Sequence, residues 1–197
     1  MYEIIPLLDS PSRADIISTI VRKCCGFDTA FSDFQSVCDD RCTDQKNFEE
    51  FCDLCRFRSG VVALSLAQGL TWEVWGDSEV VGIIRLSDIK PGLSAKGHYL
   101  FFDSQLNSKT EAIQAVIDWA FTEHENWEPL ERISIEIPDF AFALARHAHK
   151  KLGFGGPFEH RLKGKKIPVE GVTQRGVFWR GMNRDLLQLG LINPHAS

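Results

Sequence analysis

Apolar positions along the chain switch between helical spacing and strict alternation, and the switches mark its elements. After Ser12 and Asp15, a capping-box pair, Ile17, Ile20, Val21 and Cys24 recur at helical spacing until Gly26 interrupts them. Phe27 to Thr43 is rich in Asp, Ser and Cys and has no sustained period. Phe48, Phe51, Cys52 and Cys55 then mark the apolar face of a second helix. The first 70 residues are therefore expected to be helical.

From Gly69 the period changes. Thr71–Trp75 and Glu79–Leu86 are β-rich runs separated by Gly76-Asp77-Ser78, which predicts a hairpin. The second run contains Gly82-Ile83-Ile84-Arg85-Leu86 and reads as a core strand with one outward arginine. Asp88 to Gly97 contains Pro91-Gly92 and predicts a loop, and His98–Phe102 follows as an aromatic strand. A helix is predicted from Ala112, Ile113, Val116, Ile117, Ala120 and Phe121.

Ile133, Ile135 and Ile137 alternate as in a half-buried strand, and Pro138 ends it. Phe140, Ala141, Leu144, Ala145, Ala148 and Leu152 form the inward face of a further helix, with Gly153 where a left-handed cap is wanted. Extended runs near Phe158–Lys163 and Gly176–Met182 precede a short tail around Asp185–Leu189. This order predicts an α/β fold with a mixed central sheet of six or seven strands and helices on its faces.

Composition narrows the class. The 197 residues are 44% hydrophobic and 25% charged, as in an ordinary globular domain, and one domain is the expectation, with a helical part to residue 70, a sheet core over 71–182 and a tail over 183–197. A net charge of -5 argues against nucleic acid as a partner, although Lys163, Lys165 and Lys166 form a local basic patch. No run approaches the about 20 apolar residues that span a bilayer. The unevenly placed cysteines read as reduced thiols, which predicts a cytoplasmic location or the interior of a virus particle.

Ala145-Arg146-His147-Ala148-His149-Lys150-Lys151-Leu152-Gly153-Phe154 resembles the helix-terminal motif of the GNAT (GCN5-related N-acetyltransferase) superfamily, which ends in Lys-Leu-Gly-Phe. Thr110-Glu111-Ala112 followed by Trp119-Ala120-Phe121 is similar to the preceding helix of its ribosomal-protein acetyltransferase branch. The resemblance spans Thr71 to Met182 and implies an N-acyltransferase using acetyl-CoA or another acyl-CoA. Its acceptor would be an amine-bearing small molecule or a protein N-terminus.

In that family a glycine-rich turn lets backbone N–H groups close on the cofactor pyrophosphate at a helix N-terminus. Here Ser104-Gln105-Leu106-Asn107-Ser108-Lys109 contains no glycine. Asn107, Ser108 and Lys109 are the residues left to meet the phosphates, and Asn107 or Ser108 would equally serve as a helix cap. Phe101 and Phe102 would line an acyl group or simply fill the sheet core. His149 stands where the family often has a tyrosine that protonates the leaving thiolate, and Glu136 and Asp139 are candidate bases for the amine. Glu136 otherwise faces solvent, and Asp139 otherwise caps the next helix.

Cys38, Cys42, Cys52 and Cys55 offer two pairs for a tetrahedral zinc site, but Cys52 and Cys55 also fit the apolar face of their helix. The missing glycines open a second functional reading. It is a GNAT-derived structural or interaction protein without catalysis, with protein partners, like the GNAT-like internal or accessory virion proteins of short-tailed phages.

Overall fold

The computed structural model describes residues 2–7, 69–76, 79–101, 109–162, 164–179 and 182–196. The two N-terminal helices expected from the sequence and the four cysteines weighed for zinc lie outside these residues, except that the N-terminal stretch contributes a strand, β1 (Tyr2–Pro6). Seven strands form one mixed sheet in the order β1-β2-β3-β4-β5-β9-β8. They are β1, β2 (Leu70–Gly76), β3 (Glu79–Lys90), β4 (Ser94–Phe101), β5 (Arg132–Pro138), β8 (Gly171–Trp179) and β9 (Met182–Ile192). A separate antiparallel pair joins β6 (Phe158–Leu162) to β7 (Lys165–Val169). Among the described residues two helices flank the main sheet, α1 (Lys109–Ala120) and α2 (Phe142–Leu152).

The chain divides into two compact units, residues 1–85 with 99–106, and residues 86–98 with 107–197. In the first, β1 pairs antiparallel with β2 from Tyr2↔Gly76 to Pro6↔Trp72. Trp72, Val74 and Ile83 are buried there.

In the second unit, Ile133, Ile135 and Ile137 are buried, as their alternation predicts, and each contributes about 1.5–3 kcal/mol on burial. The apolar stripe of α1 is Ala112, Ile113, Val116, Ile117 and Ala120. Connecting parallel strands requires a long crossover, and α1 supplies it between β4 and β5. α2 buries Ala145, Ala148 and Leu152 and ends at Gly153, whose φ of 79° is the left-handed cap expected there. Phe154, now directed inward, is 2% exposed.

Four sequence expectations need correction. The loop expected from Asp88 to Gly97 is only a turn at residues 91–93, because β3 runs on to Lys90 and β4 starts at Ser94. Phe140 and Ala141 precede α2, with Ala141 at its N-cap, because the chain leaving Pro138 first makes a turn in which the Ala141 N–H donates to the Pro138 carbonyl. Arg85 is buried rather than outward. The tail around Asp185–Leu189 is the middle of β9, which pairs antiparallel with β5 across seven residues, Arg132↔Ile192 to Pro138↔Leu186. Leu186, Leu187 and Leu189 are buried in that strand.

Candidate active site

Within the second unit, β4 and β5 pair in parallel at Ser94↔Arg132, Ala95↔Ile133 and Lys96↔Ser134. Gly97 comes next on β4, where a Cβ would sit 3.2 Å from Cγ2 of Ile133 and 3.3 Å from Cγ2 of Ile135. Glycine thus lets the β5 isoleucines close over this end of the ladder. Alternation sends Lys96 and His98 to the opposite face from Gly97, and Ser134 and Glu136 to the opposite face from the isoleucines.

That face carries a polar row through five strands. The Lys96 ammonium lies 3.4 Å from Oδ2 of Asp88 and 3.9 Å from Oε1 of Glu136. Gln188 Nε2 donates to the same Glu136 oxygen at 3.4 Å and to Thr173 Oγ1 at 3.0 Å. Asp88 has a φ of 48°, a left-handed conformation that aspartate tolerates better than most residues. Glu136 is therefore half-buried and partnered on two sides, not simply facing solvent. These exposed-to-half-buried contacts are each worth little alone, and their effect is to hold the carboxylate in place.

His98, two residues past the last ladder pair on β4, shares a 2.8 Å hydrogen bond between its Nε2 and Ser87 Oγ. The sequence pattern does not single out Lys96, inside the expected loop, nor Ser87 and His98, which border it and whose face is set only by the strand register. The alternation of Lys96 and His98 around Gly97 was the one available signal.

His149 lies in the last turn of α2, and its Nδ1 is 2.9 Å from the main-chain carbonyl of Phe154. A carbonyl only accepts, so Nδ1 carries the proton. The neutral ring then presents Nε2 as a lone pair, and only the imidazolium form has a second N–H to give. The Gly153 reversal makes this contact by turning the chain back under its own helix.

Two residues earlier, His147 Nε2 lies 3.1 Å from Thr110 Oγ1 in the first turn of α1. Burial lowers the His147 pKa from its ordinary value, with further lowering by Lys151 and Lys109. The field around the α1 N-terminus is positive, and it fits a phosphate-bearing ligand. Asn107, Ser108 and Phe102 lie outside the described residues.

Asp139 does not cap α2, whose N-cap makes no side-chain hydrogen bond. Its N–H donates to the Asp185 carbonyl at 2.9 Å, and its Oδ1 is buried with no hydrogen-bond partner among the described residues. Phe101 belongs to the first unit, where its ring lies over Gly82.

No family model matches the chain, and no curated protein matches it in sequence. Solved structures do match its fold. The spermidine/spermine N-acetyltransferase SpeG of Vibrio cholerae superposes with a TM-score of 0.60 at 15% identity, over 98% of this chain and 95% of that one. An acetyltransferase of the GNAT family from Streptococcus pneumoniae gives 0.60 at 14% identity, over 98% and 99%. RimL, a ribosomal L7/L12 alpha-N-protein acetyltransferase solved with coenzyme A, gives 0.60 at 15% identity, over 97% and 93%. The fold is that of the GNAT acetyltransferases. Among the described residues no helix is long and apolar enough to cross a membrane.

Proposed function

We propose that this chain is an N-acyltransferase that moves an acyl group from an acyl-CoA to a primary amine. The observation that carries the reading is the end of the β4–β5 ladder, where His98 and Glu136 stand on one face just past Lys96↔Ser134 in a GNAT fold. Bound acyl-CoA would supply an acyl carbon activated as a thioester.

The chain's own groups would move protons and hold charge. Glu136, kept in position by Lys96 and Gln188, takes the proton released as nitrogen bonds to the acyl carbon. His98, oriented by Ser87, is a second acceptor on the same face of the neighbouring strand. Asp139 is the alternative base, with one buried carboxylate oxygen left unpartnered among the described residues. His149, in its imidazolium form, gives its Nε2 proton to the departing sulfur while Nδ1 stays bonded to Phe154. Lys109, Thr110, His147 and Lys151 meet the phosphates, with Asn107 and Ser108 adding donors in place of glycine amides.

The acceptor would be a small amine or a protein N-terminus. SpeG has been solved with CoA and spermine, and RimL is named for a protein N-terminal substrate. Calorimetry with acetyl-CoA tests the donor side. Saturable binding that weakens when Lys109 and Lys151 are both replaced by Met supports the reading. Absence of binding at millimolar cofactor contradicts it and leaves a GNAT-fold interaction protein as the alternative.

A further inference from the structure

Glu170 is the single residue between β7 and β8, and two glycines close around it. A Cβ on Gly156 would collide with the main chain of Val169 and Glu170, and one on Gly190 would fall on the Glu170 carboxylate. Hydrogen at those two positions lets the backbones meet and the carboxylate lie across β9. There it pairs with the guanidinium of Arg132, the first residue of the next strand, β5. The pair is partly exposed, so its Coulomb energy is small and its consequence is placement.

What the carboxylate covers is a junction. Gly190 and Gly155 exchange both main-chain hydrogen bonds, each at 2.8 Å, outside the regular ladders. The N–H that Gly155 gives to Gly190 belongs to the same peptide group as the Phe154 carbonyl, which accepts from His149 Nδ1 at 2.9 Å. A peptide group is planar and stiff, so one plate carries the position of Gly190 to the His149 ring. Gly155 itself sits between α2 and β7, where a Cβ would stand 3.7 Å from His149 Nδ1 and 3.4 Å from Pro168 Cγ. The Glu170 main chain anchors β9 two residues before Gly190, its N–H donating to the Gln188 carbonyl at 2.7 Å.

Nothing on α2 alone dictates which nitrogen of His149 carries the proton. That follows from where the Phe154 carbonyl points, which follows from the Gly155–Gly190 bridge beneath the Glu170 carboxylate.

We propose that Glu170, held by Arg132, is a positioning residue for His149. Its carboxylate clamps the Gly190–Gly155 junction, which keeps the imidazole proton on Nδ1 and leaves Nε2 as the nitrogen that exchanges protons with a substrate. The value of this clamp to catalysis rests on the acyl-transfer reading, whereas the clamp itself is read without turnover.

Nitrogen NMR of the isotopically labelled His149 ring in the full chain, at alkaline pH where the imidazole is neutral, reads the tautomer. The proposal expects the Nδ1–H form to dominate in the native protein. Glu170→Gln, which keeps the side-chain volume, should shift the ratio several-fold toward Nε2–H. Arg132→Met should do the same and serves if Glu170→Gln does not fold, while Arg132→Lys keeps the ion pair and the native tautomer. In acyl transfer, Glu170→Gln and Arg132→Met should lose about tenfold or more in kcat at unchanged KM for acyl-CoA, with Arg132→Lys retaining most of the activity. A native ring protonated on Nε2 overturns the proposal, as does an unchanged tautomer in the folded variants. A tautomer shift in a protein whose native form transfers no acyl group supports the clamp and counts against the acyl-transfer reading alone.

Discussion

The imidazole of His149 donates from Nδ1 to the main-chain oxygen of Phe154 across 2.9 Å, at the helix end that Gly153 reverses. The bond decides what the ring can do, since the one proton of the neutral imidazole is already committed. Replacing His149 by Ala should lower the turnover of acyl transfer by about 100-fold or more if the ring serves as acid, with little change in KM for acyl-CoA. Loss of the hydrogen bond should cost about 1 kcal/mol of stability. Steady-state kinetics together with urea unfolding separate the two effects, and a fall in stability without a fall in kcat would assign His149 to structure alone.

Gly153 has a φ of 79°, and a Cβ there would reach only ordinary contact with Leu191, at 3.4 Å. The penalty for Gly153→Ala is therefore backbone strain, about 1–2 kcal/mol. Urea denaturation should show the midpoint moving with an unchanged slope, since the compactness of neither state is altered.

At Gly97 the obstacle is steric instead, with the Ile133 and Ile135 methyls 3.2 and 3.3 Å from the added carbon. Gly97→Val should destabilise by about 1–3 kcal/mol, because the ladder end has no room for a branched side chain. Trimming Ile135 to Val in the same protein should recover part of that loss, and thermal unfolding of the single and double variants reads the coupling.

The pKa of His147 is lowered first by burial and then by Lys151 and Lys109. Because the folded protein binds this proton less readily than the unfolded chain, the associated stability is complete above the ordinary histidine value of about 6.5. It is lost as pH falls through that value toward the lower folded one. His147→Gln should flatten this part of the stability–pH curve. Lys151→Met should raise the His147 pKa in an NMR titration without restoring it fully, since burial remains.

Much of the fold was legible in local pattern, and the failures share a cause. The isoleucine alternation of β5 and the small-residue stripe of α2 follow from which face each element buries, so periodicity sufficed. β9 was read as a tail because Asp185-Leu186-Leu187-Gln188-Leu189 lacks β-branched residues and its leucine spacing suits a helix turn. Its seven-residue pairing with β5 decides its conformation, and that partner lies about fifty positions away. β7 lacks a local signal for a similar reason, since Pro168 and its lysines disguise a strand whose ladder partner is β6 and whose Ile167 and Val169 are buried.

The site was half legible. Glu136 and His149 stand out as chemical types, whereas Lys96, His98 and Ser87 become candidates only once the turn is shortened to residues 91–93 and the strand register sets their face. The register is a product of tertiary pairing, and no residue in the turn announces it.

The central claim is acyl transfer to nitrogen, and mass spectrometry with isotopically labelled acetyl-CoA addresses it most directly. The full chain should move the label onto a diamine or a peptide N-terminus, releasing one free thiol per amide formed, and Glu136→Gln should slow this by about 100-fold or more. No labelled amide above the uncatalysed background across both acceptor types, from a folded protein with acetyl-CoA bound, would contradict the account.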